Sequence, residues 1–111
     1  MITVLILLLL MHALADFPLQ GDFLARAKFG SVPGIPGWYA LATHSLIHAG
    51  FVFWITDSLV FFTIEFVAHY AIDTLKIKNR ISFLVDQVLH IGCKVAYAAV
   101  IVYGWAQAPT G

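Results

Sequence analysis

Charge is what this chain has least of. Only 11% of its 111 residues are Asp, Glu, Lys or Arg, against about 25% in an average soluble protein. Six basic residues balance six acidic ones, so no field of one sign is present to hold nucleic acid. Cysteine is nearly absent. The single Cys93 excludes an intrachain disulfide and is expected to pack as a small apolar residue. No Lys or Arg precedes Arg26, so the apolar N-terminal run lacks the basic leader of a secretory signal peptide. "ALA" at 13–15 resembles a cleavage site, but cutting there would part His12 from Asp16. The run is therefore read as a retained helix.

What fills the sequence instead is hydrocarbon. The hydrophobic share is 61% and the mean hydropathy +0.91, too little polar surface to coat a soluble globule. A chain of this length makes one domain, so residues 1–111 are expected to form a single integral membrane domain. The expected fold is all-α: a four-helix transmembrane bundle with an interfacial loop or short helix between the first two helices. Helices are expected over about 1–17, 38–56, 58–75 and 81–106, each long enough, or nearly so, to cross about 30 Å of hydrocarbon. Pro18 stops the first, and "VPGIPG" at 32–37 supplies turn chemistry before the second. The 57–58 link makes the second and third an antiparallel hairpin, and "KIKNR" at 76–80 is an equally tight turn. "LQGDFLARAKFG" alternates apolar and polar residues as an interfacial helix does.

Arg26, Lys28, Lys76, Lys78 and Arg80 all fall in the first and third connections. The positive-inside rule makes that side cytoplasmic in a bacterial-type inner membrane, with both termini and the Asp57 turn outside. Trp38, Tyr39, Trp54, Tyr103 and Trp105 lie near span ends, where aromatic belts form.

Four polar pairs interrupt the apolar runs: His12 with Asp16, His44 with His48, His69 with Asp73, and Asp86 with His90. Each pair is spaced i,i+4, on one helix face. All five histidines have such a partner, an outcome of about one in a thousand by chance on a helical-face template. Asp16 and Asp73 end their helices on the basic side and Asp86 starts its helix there, so a bundle brings the eight groups to one level. A lone intramembrane His or Asp is usually an interhelical hydrogen-bond partner. Four pairs are harder to explain that way, because each intramembrane charge costs about 2.5–3.5 kcal/mol. Neutral imidazoles and carboxylates suit one or two divalent ions, zinc first, with manganese or iron as alternatives. A metal-free polar core is the competing reading. Gln20 and Gln87 read first as interfacial glutamines, and otherwise as supporting or headgroup-binding residues. Glu65 and Lys94, a turn deeper, are expected to form a buried ion pair, or else Glu65 is a ninth ligand.

The ordered motifs "HALADFPLQGDFLARAK", "HSLIH", "HYAIDTLK" and "DQVLH" resemble a family of small bacterial and phage integral membrane proteins of unknown function. More distantly, the His-x-x-x-Asp pairs are similar to those of membrane-bound metal-dependent hydrolases. The resemblance implies that His12, Asp16, His44, His48, His69, Asp73, Asp86 and His90 are site residues. It supplies no mechanism.

Chemistry then orders the functions. The first expectation is a metal-dependent hydrolase of a lipid-like or phosphate-bearing substrate at the cytoplasmic leaflet. Asp16, Asp73, Asp86 or Asp22 would act as base, with Gln20, Arg26 and Gln87 toward the substrate and Lys28 and Lys76 as further headgroup cations. A membrane di-iron oxidoreductase is the alternative within metal chemistry. A transporter, or a holin-like or accessory subunit, is the alternative outside it. Bis-imidazole haem ligation is disfavoured by the aspartates beside the histidines. The expected partners are the lipid bilayer and an amphiphile, not nucleic acid, and the outer faces leave room for a homo-oligomer.

Overall fold

A computed structural model describes residues 2–17 and 19–107, with side chains to residue 104. Met1, the Pro18 helix stop and the Trp105 side chain lie outside the described residues. Five helices follow in chain order: α1 (Ile2–Asp16), α2 (Gly21–Lys28), α3 (Gly37–Thr56), α4 (Leu59–Ile77) and α5 (Phe83–Gln107). The helix positions expected from the sequence hold to within two residues, and the short connecting helix is α2. The molecule is elongated, 53 × 24 × 21 Å.

The connections are made by local backbone chemistry. Gly21 adopts φ +63°, and α2 leaves α1 at 81°, laying α2 across the end of the bundle. At the end of α2 the Gly30 N–H donates to Ala27 O (2.9 Å) and Ser31 N–H to Arg26 O (3.3 Å), with Gly30 at φ +76°. That is a Schellman stop with glycine at its left-handed position. The end of α4 repeats it with Asn79 at φ +60°: its N–H donates to Lys76 O (2.9 Å) and that of Arg80 to Leu75 O (2.8 Å). Between α3 and α4, Asp57 is left-handed, and Ser58 Oγ caps α4 by accepting from the Phe61 N–H at 3.2 Å. Ser82 Oγ accepts from the Val85 N–H at 3.2 Å in the same way before α5.

The bundle is inverted relative to a water-soluble protein. Among the described residues eleven buried side chains are polar or charged and nine are apolar. Large apolar residues such as Ile6, Leu10, Leu46, Val60, Val67, Val88 and Val95 cover the outside. The interior divides along its length. Leu8, Val52, Tyr97 and Ala98 pack an apolar half with Val4, Leu5, Ile55, Phe61 and Cys93 against them. The other half, at the end crossed by α2, holds the histidines.

Of the four expected spans, one is long and apolar enough by itself: α5, over Phe83–Gly104. α1 and α2 reach that standard only together, as a bent pair. The shortfall has a cause in each remaining helix. α1 has 15 residues, about 22 Å at 1.5 Å per residue. α3 carries His44 and His48, and α4 carries Glu65, Asp73 and Lys76. Apart from Lys76, those polar side chains are buried in the bundle and leave the outer surface apolar.

Candidate metal centre

The i,i+4 spacing brings each pair together as the helix face requires. His12 Nε2 lies 3.3 Å from Asp16 Oδ2, His69 Nε2 3.5 Å from Asp73 Oδ2, and His90 Nε2 3.3 Å from Asp86 Oδ1. His44 and His48 meet edge to face with ring centroids 4.7 Å apart. Packing of α1, α3, α4 and α5 then merges the pairs. The His48 and His69 rings stack at 3.8 Å and those of His69 and His90 at 4.1 Å. All eight expected ligands share one interior, and every one but the half-buried Asp16 is buried.

Two carboxylates organise the space. Asp16 Oδ1 accepts from His48 Nε2–H at 2.8 Å and lies 3.2 Å from His44 Nε2. Asp73 Oδ1 accepts from His90 Nε2–H at 3.2 Å, while its Oδ2 accepts from the Lys28 ammonium at 3.1 Å. Ligand atoms of Asp16, His44, His48 and His69 lie within 4.8 Å of one another, as do those of Asp73, Asp86 and His90. Distances of that size let one ion reach each set after small side-chain movements. Among the described residues, His44 Nε2, His69 Nε2 and Asp86 Oδ1 are buried without a hydrogen-bond partner. Buried polar atoms are seldom left so, and these three belong to residues of the two sets. The residues therefore fit a divalent ion.

Gln87 is bonded into the cluster. It donates to Asp16 Oδ2 (3.0 Å) and Asp86 Oδ2 (3.1 Å) and accepts from His12 Nε2–H (3.1 Å), tying α5 to α1. Gln20 donates to the Asp16 backbone carbonyl at 3.1 Å and leaves its own buried Oε1 unpartnered. Arg26 and Asp22 are not brought to the cluster. They pair with each other at 2.9 Å on the exposed face of α2, because i,i+4 neighbours on so short a helix share a side. The expected Glu65–Lys94 pair is present at 2.8 Å, and Tyr97 OH donates to the same oxygen at 3.1 Å.

Two cations play a part that the sequence reading did not assign to them. Lys28, read as a topology signal or headgroup contact, is buried against Asp73, and Lys76 reaches Asp86 at 3.6 Å. Nothing local marks Lys28 off from its neighbour Arg26. The available signal was charge balance, since buried carboxylates need cations. Beside Lys28 a pocket of about 220 Å³ opens between α2, α3 and α4, lined also by Trp38, Leu41, Tyr70, Thr74 and Lys78.

Fold and site together define a small all-helical protein with an apolar exterior and a buried histidine–carboxylate centre that can hold a metal ion. The chain belongs to the family described as protein of unknown function, DUF3307, which matches residues 4–108. No curated protein and no solved structure matches it, so membership brings no activity with it.

Proposed function

We propose that this is a multi-pass membrane protein that binds a divalent metal, zinc first and manganese or iron next, and hydrolyses a lipid-like or phosphate-bearing substrate. The observation that carries the reading is the convergence of five imidazoles and three carboxylates from four helices in one interior. An interior of charge inside an apolar exterior suits hydrocarbon surroundings, where polar groups must be satisfied within the protein. In this reading α1, α3, α4 and α5 cross the bilayer, α2 lies at the cytoplasmic interface, and both termini are outside.

Charge balance favours one resident ion over two. Four buried or half-buried carboxylates face three ammonium groups: Asp73 has Lys28, Asp86 has Lys76, and Glu65 has Lys94. Among the described residues the Asp16 carboxylate meets only imidazoles and the Gln87 amide. The ion therefore belongs with Asp16, His44, His48 and His69. A bound divalent metal supplies an acidified water and polarises a phosphoryl or carbonyl oxygen. Around it, Asp73 and Asp86 are placed to hold the proton that the attacking water gives up, and Lys28 to meet the negative oxygen of an ester headgroup entering by the pocket beside it. The new bond joins the water oxygen to phosphorus or acyl carbon, and the ester bond to the leaving oxygen breaks.

The same salt bridges support a second reading, a metal-free structural or accessory subunit, in which a protonated imidazole balances Asp16. Elemental analysis of detergent-purified protein separates the two. About one equivalent of metal, lost in His48→Ala and Asp16→Asn, is expected. A wild-type protein empty after reconstitution with zinc, manganese or iron at neutral pH overturns the metal reading. Iron in place of zinc turns it toward a di-iron-type oxidoreductase.

A further inference from the structure

We propose that Glu65, the deepest carboxylate of the cluster, is the positioning residue that makes His69 a metal ligand through Nε2. The inference rests on the metal reading above and concerns how one of its ligands is prepared.

A neutral imidazole has one N–H and one lone pair, and the partner of one nitrogen decides the state of the other. His69 Nδ1 lies 3.1 Å from Glu65 Oε2. Glu65 is committed as an acceptor, because its other oxygen takes the Lys94 ammonium at 2.8 Å and the Tyr97 hydroxyl at 3.1 Å. An ionised carboxylate has no proton to give, so His69 Nδ1 must carry the hydrogen. The lone pair is then on Nε2, which is buried and has no hydrogen-bond partner among the described residues, and His69 is grouped with Asp16, His44 and His48 as a possible ligand. Among the described residues His69 is the one imidazole whose Nδ1 meets a side-chain acceptor; the Nδ1 atoms of His12 and His44 are buried without one.

Rigidity points the same way. Glu65 and Lys94 are each 1% exposed and His69 not at all. The His69 ring is held between those of His48 and His90, so it cannot turn over to present Nδ1 instead. Glu65 could itself complete a ligand set with His69 and His90, but unlike Asp16 it already has its charge balanced by a buried ammonium, that of Lys94. It acts as the carboxylate of a carboxylate–histidine–metal arrangement, with Lys94 and Tyr97 fixing the carboxylate in turn.

Glu65→Gln tests the assignment. The Lys94 ammonium attracts the amide oxygen, so the amide NH₂ faces His69 Nδ1, which must then accept. The hydrogen moves to Nε2 and blocks the ligand nitrogen. In metal-free protein with ¹⁵N-labelled histidine, His69 is expected as the Nδ1–H tautomer in wild type and as Nε2–H in the variant. Zinc affinity, measured by chelator competition on the full chain in detergent, is expected to fall about 10–100-fold. Should Glu65→Gln fail to fold, Glu65→Asp keeps an anion for Lys94 but draws it one methylene back from His69, and the same loss of affinity is expected. An unchanged tautomer, or zinc binding unaltered in a folded variant, overturns the inference alone. Wild-type protein that binds no zinc overturns the metal reading and this one with it, and is recognised because the unmutated chain is already empty.

Discussion

At the residue scale the notable quantity is the number of charges held out of solvent. Asp73 and Lys28 have side chains only 3% exposed, and the pair joins α4 to a helix that is not part of the main bundle. Removing one partner of a buried pair leaves the other uncompensated and costs about 3–5 kcal/mol. Lys28→Met should therefore destabilise the metal-free protein by about that amount, seen as earlier thermal unfolding in detergent. It also strips Asp73 of its ammonium and opens the set of Asp73, Asp86 and His90 to a cation. Zinc should restore most of the lost stability, and bound metal should rise from one equivalent toward two. A variant as stable as wild type, still holding one equivalent, would show that Lys28 does not guard a second site.

At the element scale, α2 places Lys28, and a glycine on α3 places α2. A Cβ added at Gly37 would stand 3.1 Å from Lys28 O and 3.3 Å from Gly30 N, both backbone atoms that cannot swing aside. Gly37→Ala must push the end of α2 away from α3, at about 1–3 kcal/mol for an overpacked contact. The same displacement should draw Lys28 off Asp73. Gly50→Ala in the same helix meets nothing within 4 Å and should lose no stability, which controls for helix propensity. Equal melting temperatures for the two variants would show that the α2–α3 contact is slack.

The elements were also the most legible level of the sequence. Pro36, the 57–58 link and "KIKNR" carry their turn chemistry in the residues themselves, so α3, α4 and α5 were found to within two residues. The four i,i+4 pairs were legible because a helix face is a local property. Which pairs meet across helices is not local. His69 reads as a partner of Asp73 in sequence, yet its shorter contact is with Glu65 on the preceding turn. Gln87 looked like an interfacial glutamine until packing set it between Asp16, Asp86 and His12. Lys28 and Arg26 differ only in which side of a two-turn helix they occupy, and periodicity over eight residues is too short to decide it.

At the scale of the whole molecule the polar groups lie toward one end of a 53 Å body. The C-terminal end of α1, the first half of α3, the last half of α4 and the start of α5 meet where α2 crosses, and the opposite half is apolar. On the proposed membrane reading, the histidine end lies at the basic interface and the apolar half crosses the remaining hydrocarbon. Hydropathy alone finds one full span because the inward-facing histidines and carboxylates dilute the average of helices whose outer faces are apolar. The proposed orientation is open to a direct check. In a Cys93→Ala background, Ser31→Cys and Asn79→Cys sit in the connections flanking the histidine end, and Asp57→Cys sits in the turn at the other end. All three native residues are exposed. A membrane-impermeant thiol reagent applied to intact cells should label Asp57→Cys and leave the other two unlabelled until the membrane is opened. Labelling of all three from one side would mean that the bundle does not cross the bilayer, and its apolar exterior would then have to be covered by other protein.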